Sequence, residues 1–401
     1  MTRGIKIAIV SLSTLLLATL MIGTLLGGNE TGEDAYKHFA VFTEVVSRIK
    51  SDYVEEPDMK AVTLGALNGL LESIDPYASY LSADQYKQYL KSKETKKANV
   101  GLILSRRFGY VGVVSSIPDS PASKASLTTG DVLETINGVA TRDMPLAYAE
   151  MLLEGEVGTT VDLTVMRVRR GTEAQKVSLI REAVKLPAPM VRSSADGIAV
   201  LQVSTLESGK SKQVAAKLAE LEKQGIKKLV LDLRHNAFGV TAEGITLANL
   251  FLEKGKITYQ QGQRMPREDS EADPSKAVWK HAVAVLVNRG TAGGAEIAAS
   301  ALMDNKRAEV VGERTYGDAA VRKAVTMDDG SAVILSTSKY YSANGKAIQD
   351  NGVTPSTVVA ELEDKSGDDD DDDAPAPAQP AAPAAAEDVQ LKKAVELLNK
   401  K

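Results

Sequence analysis

The chain has 401 residues, enough for two or three domains with separate hydrophobic cores. Its net charge is only −5 and its basic residues are scattered, so nothing in the composition indicates nucleic-acid binding. The absence of Cys excludes disulfides and thiolate catalysis, and the three His lie far apart, which disfavours a His-based metal site. We therefore expect no metal, no cofactor and no nucleic-acid partner.

The N-terminal segment has the pattern of a membrane anchor. Arg3 and Lys6 precede an uncharged apolar run at 7–28, which is close to the roughly 20 residues that span a bilayer. Basic residues before such a run indicate a cytoplasmic N-terminus. We predict a signal anchor at 1–30 with the body outside the cytoplasm, in a bacterial periplasm or on the cell surface. The alternative is a cleaved signal peptide, which would export the body as well.

Residues 31–95 are predicted to be helical. Apolar residues recur there every three or four positions in two runs, the spacing of a single helix face. The first run contains Phe39, Phe42, Val45, Val46 and Ile49, and the second contains Val62, Leu64, Leu67, Leu70 and Leu71.

From 96 to 185 the pattern changes to that of a small β-domain. Short apolar runs are separated by Gly, Pro and Asp, which favours strands joined by turns. The candidate strands are 100–104, 110–115, 131–137 and 160–168, with a candidate helix at 143–153.

Residues 186–362 are predicted to form an α/β body. Strand 198–203, amphipathic helix 210–224 and strand 228–233 imply a parallel crossover, and 264–280 is predicted to be a polar loop. Residues 363–386 are acidic and then rich in Pro and Ala, which is typical of a solvated linker. Residues 387–401 complete the chain with a short amphipathic helix. The predicted fold class is therefore multidomain, with an α/β core.

One stretch has the layout of an active site. A buried strand at 283–287 is followed by a small-residue loop at 288–294 and a helix start at Ala295. Strand, tight loop and helix N-terminus form the place where α/β folds hold a nucleophile or an anion. The loop nevertheless contains no Ser, Cys or His.

Two motifs in this region resemble the C-terminal processing peptidases, or tail-specific proteases. T-A-G-G-A-E at 291–296 resembles their S-A-S-A-S-E nucleophile loop, and T-Y-G-D-A-A-V-R at 315–322 resembles their T-F-G-K-G-x-V-Q segment. The resemblance implies that Gly293 occupies the position of the nucleophilic Ser. It likewise places Asp318 at the position of the general-base Lys and Arg322 at that of a supporting Gln.

Further segments carry the same resemblance over roughly 36–360. I-D-P-Y-A-S-Y-L at 74–81 is similar to the family's L-D-P-H-S-x-Y-L, with Tyr77 in place of His. D-L-R-H-N-A-F-G at 232–239 resembles D-L-R-x-N-P-G-G, the turn that contributes to the oxyanion hole. Phe238 and Gly239 lie in this turn, and a Phe where Gly is usual restricts the backbone.

The segment 120–131 resembles the S-P-A-x-x-A-G-L-x-x-G-D motif of a PDZ domain at 96–185. The resemblance implies a groove that takes an extended peptide as an added strand, beside a loop that offers backbone N–H groups to a terminal carboxylate. The corresponding residues are Val100, Gly101, Leu102 and Ile103. The alternative is a β-domain that packs internally and binds no peptide.

The replaced positions predict an inactive enzyme. Gly293 cannot attack a peptide bond, Asp318 is a poor base for a hydroxyl, and Arg322 stays protonated. We therefore expect a membrane-anchored pseudopeptidase whose partners are peptide or protein C-termini or an active paralogue.

Three alternatives remain open. The first is an active serine-type endopeptidase with a displaced nucleophile: Thr291, or Ser300, served by Lys323 or Lys339. The second is a different reaction with Asp318 or Glu296 as acid or base, although for Glu296, which matches a Glu of the resembled motif, we expect a role in capping or orienting the start of the helix. The third is a scaffold that forms a homo-oligomer through its N-terminal helices.

Overall fold

The computed structural model describes residues 30–94, 98–107, 109–167, 173–193, 197–361 and 387–400. It divides into two compact units, residues 1–66 and 67–401. No helix among the described residues is both long and apolar enough to cross a membrane. The predicted anchor at 7–28 and the acidic block of the linker lie outside the described residues.

The first unit contains helix α1 (Glu30–Asp52) and the beginning of helix α2 (Met59–Glu72). The predicted helical spacing of 31–95 is confirmed by these two helices and by α3 (Ala83–Glu94), which belongs to the second unit. Asp58 begins α2 by accepting hydrogen bonds from the backbone N–H groups of Lys60 and Ala61.

The β-domain is a six-stranded antiparallel sheet with the order β2-β3-β4-β6-β7, in which β5 pairs with β4. Two short helices, α4 and α5, pack beside it, and one apolar cluster fills its interior. Its elements are β2 (Leu102–Arg107), β3 (Tyr110–Ser116), α4 (Pro121–Lys124), β4 (Val132–Ile136), β5 (Val139–Ala140), α5 (Leu146–Leu153), β6 (Thr160–Met166) and β7 (Ala174–Ile180).

The central sheet has the order β19-β16-β15-β11-β9-β8. All its pairings are parallel except that of β8 with β9, so the predicted parallel crossover is confirmed. Its strands are β8 (Met190–Ser193), β9 (Ala199–Gln202), β11 (Lys228–Asp232), β15 (Ala282–Val287), β16 (Glu309–Gly312) and β19 (Thr357–Val358).

Helices cover both faces of this sheet, which explains why its central strands β11 and β15 consist mainly of apolar residues. Alternate strand residues form two separate clusters. Helices α6 (Lys210–Lys223), α7 (Thr241–Asn249) and α8 (Gly294–Asp304) pack on the first, and α9 (Val389–Asn399) packs on the second. The C-terminal helix is further held by Arg234, whose guanidinium donates to both oxygens of Asp388 at 2.9 and 2.8 Å.

An antiparallel sheet with the order β1-β18-β13-β14, in which β17 also pairs with β18, completes the body. Its strands are β1 (Ser79–Leu81), β13 (Lys256–Gln261), β14 (Glu268–Glu271), β17 (Ala320–Thr326) and β18 (Ala332–Ser342). The prediction of a continuous polar loop at 264–280 was wrong, because Glu268–Glu271 pairs with β13. This edge strand is polar throughout, so it carries no apolar alternation by which sequence analysis could identify it.

Candidate functional site

The loop between β15 and α8 holds Gly293 in a conformation that favours glycine. Its φ is 64° and its ψ is −125°, at the residue just before α8 begins. A Cβ built at this position would have only one neighbour within 4 Å, the carbonyl oxygen of Asp318 at 3.6 Å. The position therefore has room for a side chain and lacks only the side chain itself.

Glu296 joins this loop to the segment that contains Asp318. Its carboxylate is fully buried and accepts from the backbone N–H groups of Gly293 at 3.0 Å, Gly317 at 2.7 Å and Asp318 at 2.8 Å. The hydroxyl of Thr315 is the fourth donor. We call these five residues the Glu296 cluster.

Burial raises the pKa of Glu296 to about 7, while the hydrogen bonds from Thr315, Asp318 and Gly317 act in the opposite direction. The neighbouring carboxylate of Asp318 adds a smaller upward shift. Because every partner donates, only the ionised carboxylate satisfies all four hydrogen bonds. Glu296 thus links the loop of Gly293 to the segment of Asp318 through these hydrogen bonds.

Asp318 and Arg322 form an ion pair in which each side chain is about one quarter exposed. The two residues are four positions apart, but Arg322 lies on strand β17 and not on a helix. The register of β17 against β18 shifts by one residue between Val321 and Arg322, where Thr337 of β18 has no partner in the pairing. The guanidinium lies over the ring of Tyr77, 3.9 Å from its centroid.

Tyr77 and Tyr316 extend this group of side chains toward the β-domain. Their rings meet edge to face, with centroids 6.5 Å apart. Burial, and secondly the charge of Asp318, raise the pKa of Tyr77 well above its ordinary value, so the phenol stays neutral. The hydroxyl of Tyr316 forms a hydrogen bond with Ser105 on β2. The ion pair of Asp318 and Arg322 is therefore connected to the β-domain through the rings of Tyr77 and Tyr316.

The predicted oxyanion turn lies beside the Gly293 loop. Phe238 and Gly239 form the two-residue strand β12 (Phe238–Gly239), which pairs in parallel with β10 (Thr205–Leu206). The backbone N–H of Ala292 donates to the carbonyl of Asn236 at 2.8 Å, which ties this turn to the loop. Gly239 is required, because a Cβ there would lie 2.1 Å from the carbonyl oxygen of Leu206.

The alternative nucleophiles have structural partners. Thr291 is fully buried, and its hydroxyl donates to the carbonyl of Leu233 at 2.9 Å and accepts from the N–H of Asn288 at 3.0 Å. Ser300 is also buried and donates to the carbonyl of Ile297 within its own helix at 3.1 Å.

The two candidate bases are also placed elsewhere. Lys323 is exposed on β17, and Lys339 forms an ion pair with Asp350 at 2.8 Å. Among the described residues there is no group of three or more His, Cys, Asp or Glu that could hold a metal ion.

The predicted peptide-binding residues lie at the start of β2, an edge strand of the β-domain. Val100 is buried, and the N–H of Gly101 already donates to the side chain of Asn99 at 2.8 Å. Leu102 and Ile103 are half-buried on the strand, and helix α5 packs beside it. The edge strand and the helix together have the arrangement of a peptide groove.

The prediction that Glu296 caps the start of the helix is confirmed by its hydrogen bond from the backbone N–H of Gly293. Sequence reasoning did not identify the bonds of Glu296 to the segment of Asp318 or the stacking of Arg322 on Tyr77. The available signal for the role of Glu296 was its match to a Glu of the resembled motif. The stacking joins Tyr77 and Arg322, which are 245 positions apart in the chain, and the sequence carries no signal for such a contact.

Comparison with known proteins agrees with this architecture. Residues 197–359 match the model of peptidase family S41, and residues 112–167 match that of a PDZ domain. The carboxy-terminal processing protease CtpA of Bacillus subtilis is 32% identical over 342 residues, which cover 84% of this chain and 72% of that protein. A carboxy-terminal-processing protease of Bartonella bacilliformis is 30% identical over 336 residues, covering 82% and 76%.

A solved structure, the photosystem II D1 C-terminal processing protease, has the same fold. It superposes with a TM-score of 0.66 at 24% identity, covering 80% of this chain and 92% of that one. The α/β fold with a PDZ domain is therefore confirmed, and the chain belongs to the C-terminal processing peptidase family.

Proposed function

We propose that the chain is a pseudopeptidase: a catalytically inactive member of its family that binds extended or C-terminal peptides through its PDZ domain or modulates an active peptidase. We further propose that the N-terminal segment anchors it in a membrane with the body outside the cytoplasm. The observation that carries the proposal is the pairing of Asp318 with Arg322 beside a Gly293 that has no side chain. A hydroxyl nucleophile and a poised base are both missing from the positions where the fold would hold them.

The Glu296 cluster supports binding as the remaining role. It keeps the loop of Gly293 and the segment of Asp318 in contact through buried hydrogen bonds, although neither residue has a catalytic side chain. Because these loops are held in place, we expect the surface between them to accept an extended peptide without cleaving it.

The PDZ domain supplies the proposed peptide site. Strand β2 lies at the edge of its sheet, so an incoming peptide can add to it as a further strand while its side chains lie against α5. Because the N–H of Gly101 is already bonded to Asn99, a terminal carboxylate would depend on other donors near the start of the strand.

The rival function is an endopeptidase that uses a displaced nucleophile. The buried and doubly bonded hydroxyl of Thr291 gives this rival little support, because attack would require the loop to rearrange. The two functions predict opposite results in a direct assay.

The first test is peptidase activity of the full-length chain in mild detergent on an unstructured protein. Wild type is expected to leave the substrate intact. Cleavage that disappears in Thr291→Ala would overturn the proposal in favour of a displaced nucleophile.

The double variant Gly293→Ser/Asp318→Lys tests whether the two loops still support catalysis when the family's Ser and Lys are restored. A triple variant that also carries Arg322→Gln removes the second cation, which otherwise faces the new lysine. Activity in the triple variant would show that the two loops keep the geometry needed for catalysis and that only the catalytic side chains are missing.

The second test is peptide binding, measured by the anisotropy of a fluorescent peptide with an apolar C-terminal residue. We expect binding that weakens about tenfold when the C-terminus is amidated, since a charged hydrogen bond is lost. Ile103→Lys, on the groove edge, should abolish binding. Ile180→Lys, on the strand β7 at the other edge of the same sheet, is the matched control and should bind like wild type.

A further inference from the structure

The C-terminal helix α9 packs on the three strands that lead into the site. It lies against β11, β15 and β16 of the central sheet, where Ala394 and Leu398 are buried. The chain continues from β11 into the turn 234–239, from β15 into the loop of Gly293, and from β16 into the segment of Asp318. Because these strands are parallel, all three segments begin at the same edge of the sheet. One helix therefore contacts the strands that position each of them.

Arg234, the first residue of the turn 234–239, joins this turn to the helix. Its guanidinium donates to the two oxygens of Asp232 at 2.9 and 2.7 Å. It also donates to the two oxygens of Asp388, the N-cap residue of α9, at 2.9 and 2.8 Å. The side chain of Arg234 is only 16% exposed, and bidentate pairs of this kind fix the orientation of both partners. The start of α9 is therefore tied to the start of the turn.

The backbone of the turn beyond Arg234 needs support from its surroundings. His235 has a φ of 58°, in the left-handed region that residues other than Gly rarely adopt. Its N–H donates to the side-chain oxygen of Asn288 at 3.0 Å, and the carbonyl of Asn236 accepts from the N–H of Ala292 at 2.8 Å. A strained residue keeps its conformation only while neighbouring contacts hold it. The turn thus depends on the Gly293 loop on one side and on the anchor at Arg234 on the other.

The contacts at the start of α9 permit its release. When Asp388 leaves, the guanidinium of Arg234 stays paired with Asp232, so no buried charge is left without a counter-ion. The carboxylate of Asp388 is already 38% exposed and can return to water. Beside the pair lies a cavity of about 160 Å³, lined by Val200 and Gln202 of β9 and by Leu391 of α9. The helix is therefore less closely packed at this end than a protein interior would be.

We propose that α9 is a releasable brace for the site. When the helix is docked, Asp388 and Arg234 hold the turn 234–239 against the loop of Gly293. When it leaves the sheet, the contact between Asn236 and Ala292 loosens. By linkage, a ligand that requires these two segments in contact would tighten the docking of α9. The inference does not rest on the proposed function, because it concerns the packing of the segments whether or not they bind a peptide.

Hydrogen exchange of the full-length chain in mild detergent tests the brace. Asp388→Asn removes the charge that pairs with Arg234 but keeps an oxygen that can cap α9. Glu387→Gln is the matched control, because it makes the same change of charge at the neighbouring residue, which pairs with exposed Lys392. We expect Asp388→Asn to accelerate amide exchange in the turn 234–239 about tenfold and the control to leave it unchanged. Unchanged exchange in the turn, with or without faster exchange in α9, would overturn the proposal.

Thiol reactivity distinguishes local opening of the site from general loss of stability, since the chain has no native Cys. Ala292→Cys places a buried thiol on the residue whose N–H contacts the turn, and Ala299→Cys places one in the middle of α8. Adding Asp388→Asn should raise the modification rate at position 292 about fivefold and leave that at position 299 unchanged. Equal acceleration at the two positions would mean that the variant only destabilises the fold. That result, or no acceleration at position 292, would contradict the proposal.

Discussion

The backbone of the Glu296 cluster and the side chains at the three positions that match the family's catalytic residues depend on different features of the chain, although Gly293 and Asp318 belong to both groups. In the cluster, three of the four donors are backbone N–H groups, so the hydrogen bonds are independent of the side chains at 293, 317 and 318. At the replaced positions, function depends entirely on side-chain chemistry. The comparison teaches that the frame of this active site is held by main-chain contacts to one buried acid. The catalytic side chains could therefore change without moving the loops.

Removal of the buried acid should produce the largest effect. Glu296→Ala leaves three N–H groups and a hydroxyl buried without acceptors, which we expect to cost about 3–5 kcal/mol of unfolding free energy. The measurement is denaturant unfolding followed by the fluorescence of Trp279, the single Trp of the chain, which is buried in the main core.

Ser300→Ala is the matched control for this variant, because it removes a buried hydroxyl that bonds only within its own helix. It should cost no more than about 1.5 kcal/mol. A loss in Glu296→Ala no larger than that in the control would contradict the proposed role of the cluster.

The ionisation of Glu296 should give the next largest effect. Its pKa rises from 4.5 to about 7 on folding, so the folded state holds the proton more tightly. Its contribution to stability is therefore full below pH 4.5 and is lost as the pH rises to about 7, with a slope of at most about 1.4 kcal/mol per pH unit.

The measurement is the difference in unfolding free energy between wild type and Glu296→Gln from pH 4.5 to 8. Gln does not titrate, so the difference isolates this one group from all others. A difference that stays constant over this range would show that the four donors hold the folded pKa near its ordinary value.

Disruption of the ion pair should have a smaller effect. Arg322→Ala removes the cation from Asp318 and from the face of Tyr77, and we expect it to cost about 1–3 kcal/mol. Arg289→Ala is the control, because Arg289 is largely exposed and its pair with Glu313 should be worth about 0–1 kcal/mol. Similar losses in the two variants would mean that the pair contributes no more than an ordinary surface contact.

A side chain at the nucleophile position should have the smallest effect. Gly293→Ala introduces a Cβ at positive φ but into free space, so the expected cost is about 1–2 kcal/mol. Gly239→Ala provides the contrast, since its Cβ would collide with the carbonyl of Leu206 and should destabilise the protein more. The reverse order of the two losses would refute the account of the loop given above.

Much of the architecture could be predicted from the sequence. The strand–helix–strand unit at 198–233 and the strand, loop and helix around Gly293 are local patterns of apolar spacing and small residues, and all were found as predicted. The polar strand Glu268–Glu271 was missed because its place in the sheet depends on pairing with β13 and not on its own residues.

The sequence predicted which residues belong to the site but not the contacts that they make. Motif resemblance placed Gly293, Asp318 and Arg322 at the former catalytic positions, while Thr291 remained a chemically reasonable alternative. The burial of its hydroxyl between Leu233 and Asn288 became apparent only from the fold.

The sequence by itself determined the order of the elements, the resemblance to the family and the presence of Gly293 where the resembled motif has its Ser, because these follow from residue types and local spacing. Only the tertiary structure decided which partners the residues at these positions have. Asp318 and Arg322 form an ion pair, and the ring of Tyr77, which is distant in the chain, lies under the guanidinium of Arg322. Glu296 gathers donors from two separate loops. Such contacts depend on the packing of distant segments, which no local pattern in the chain records.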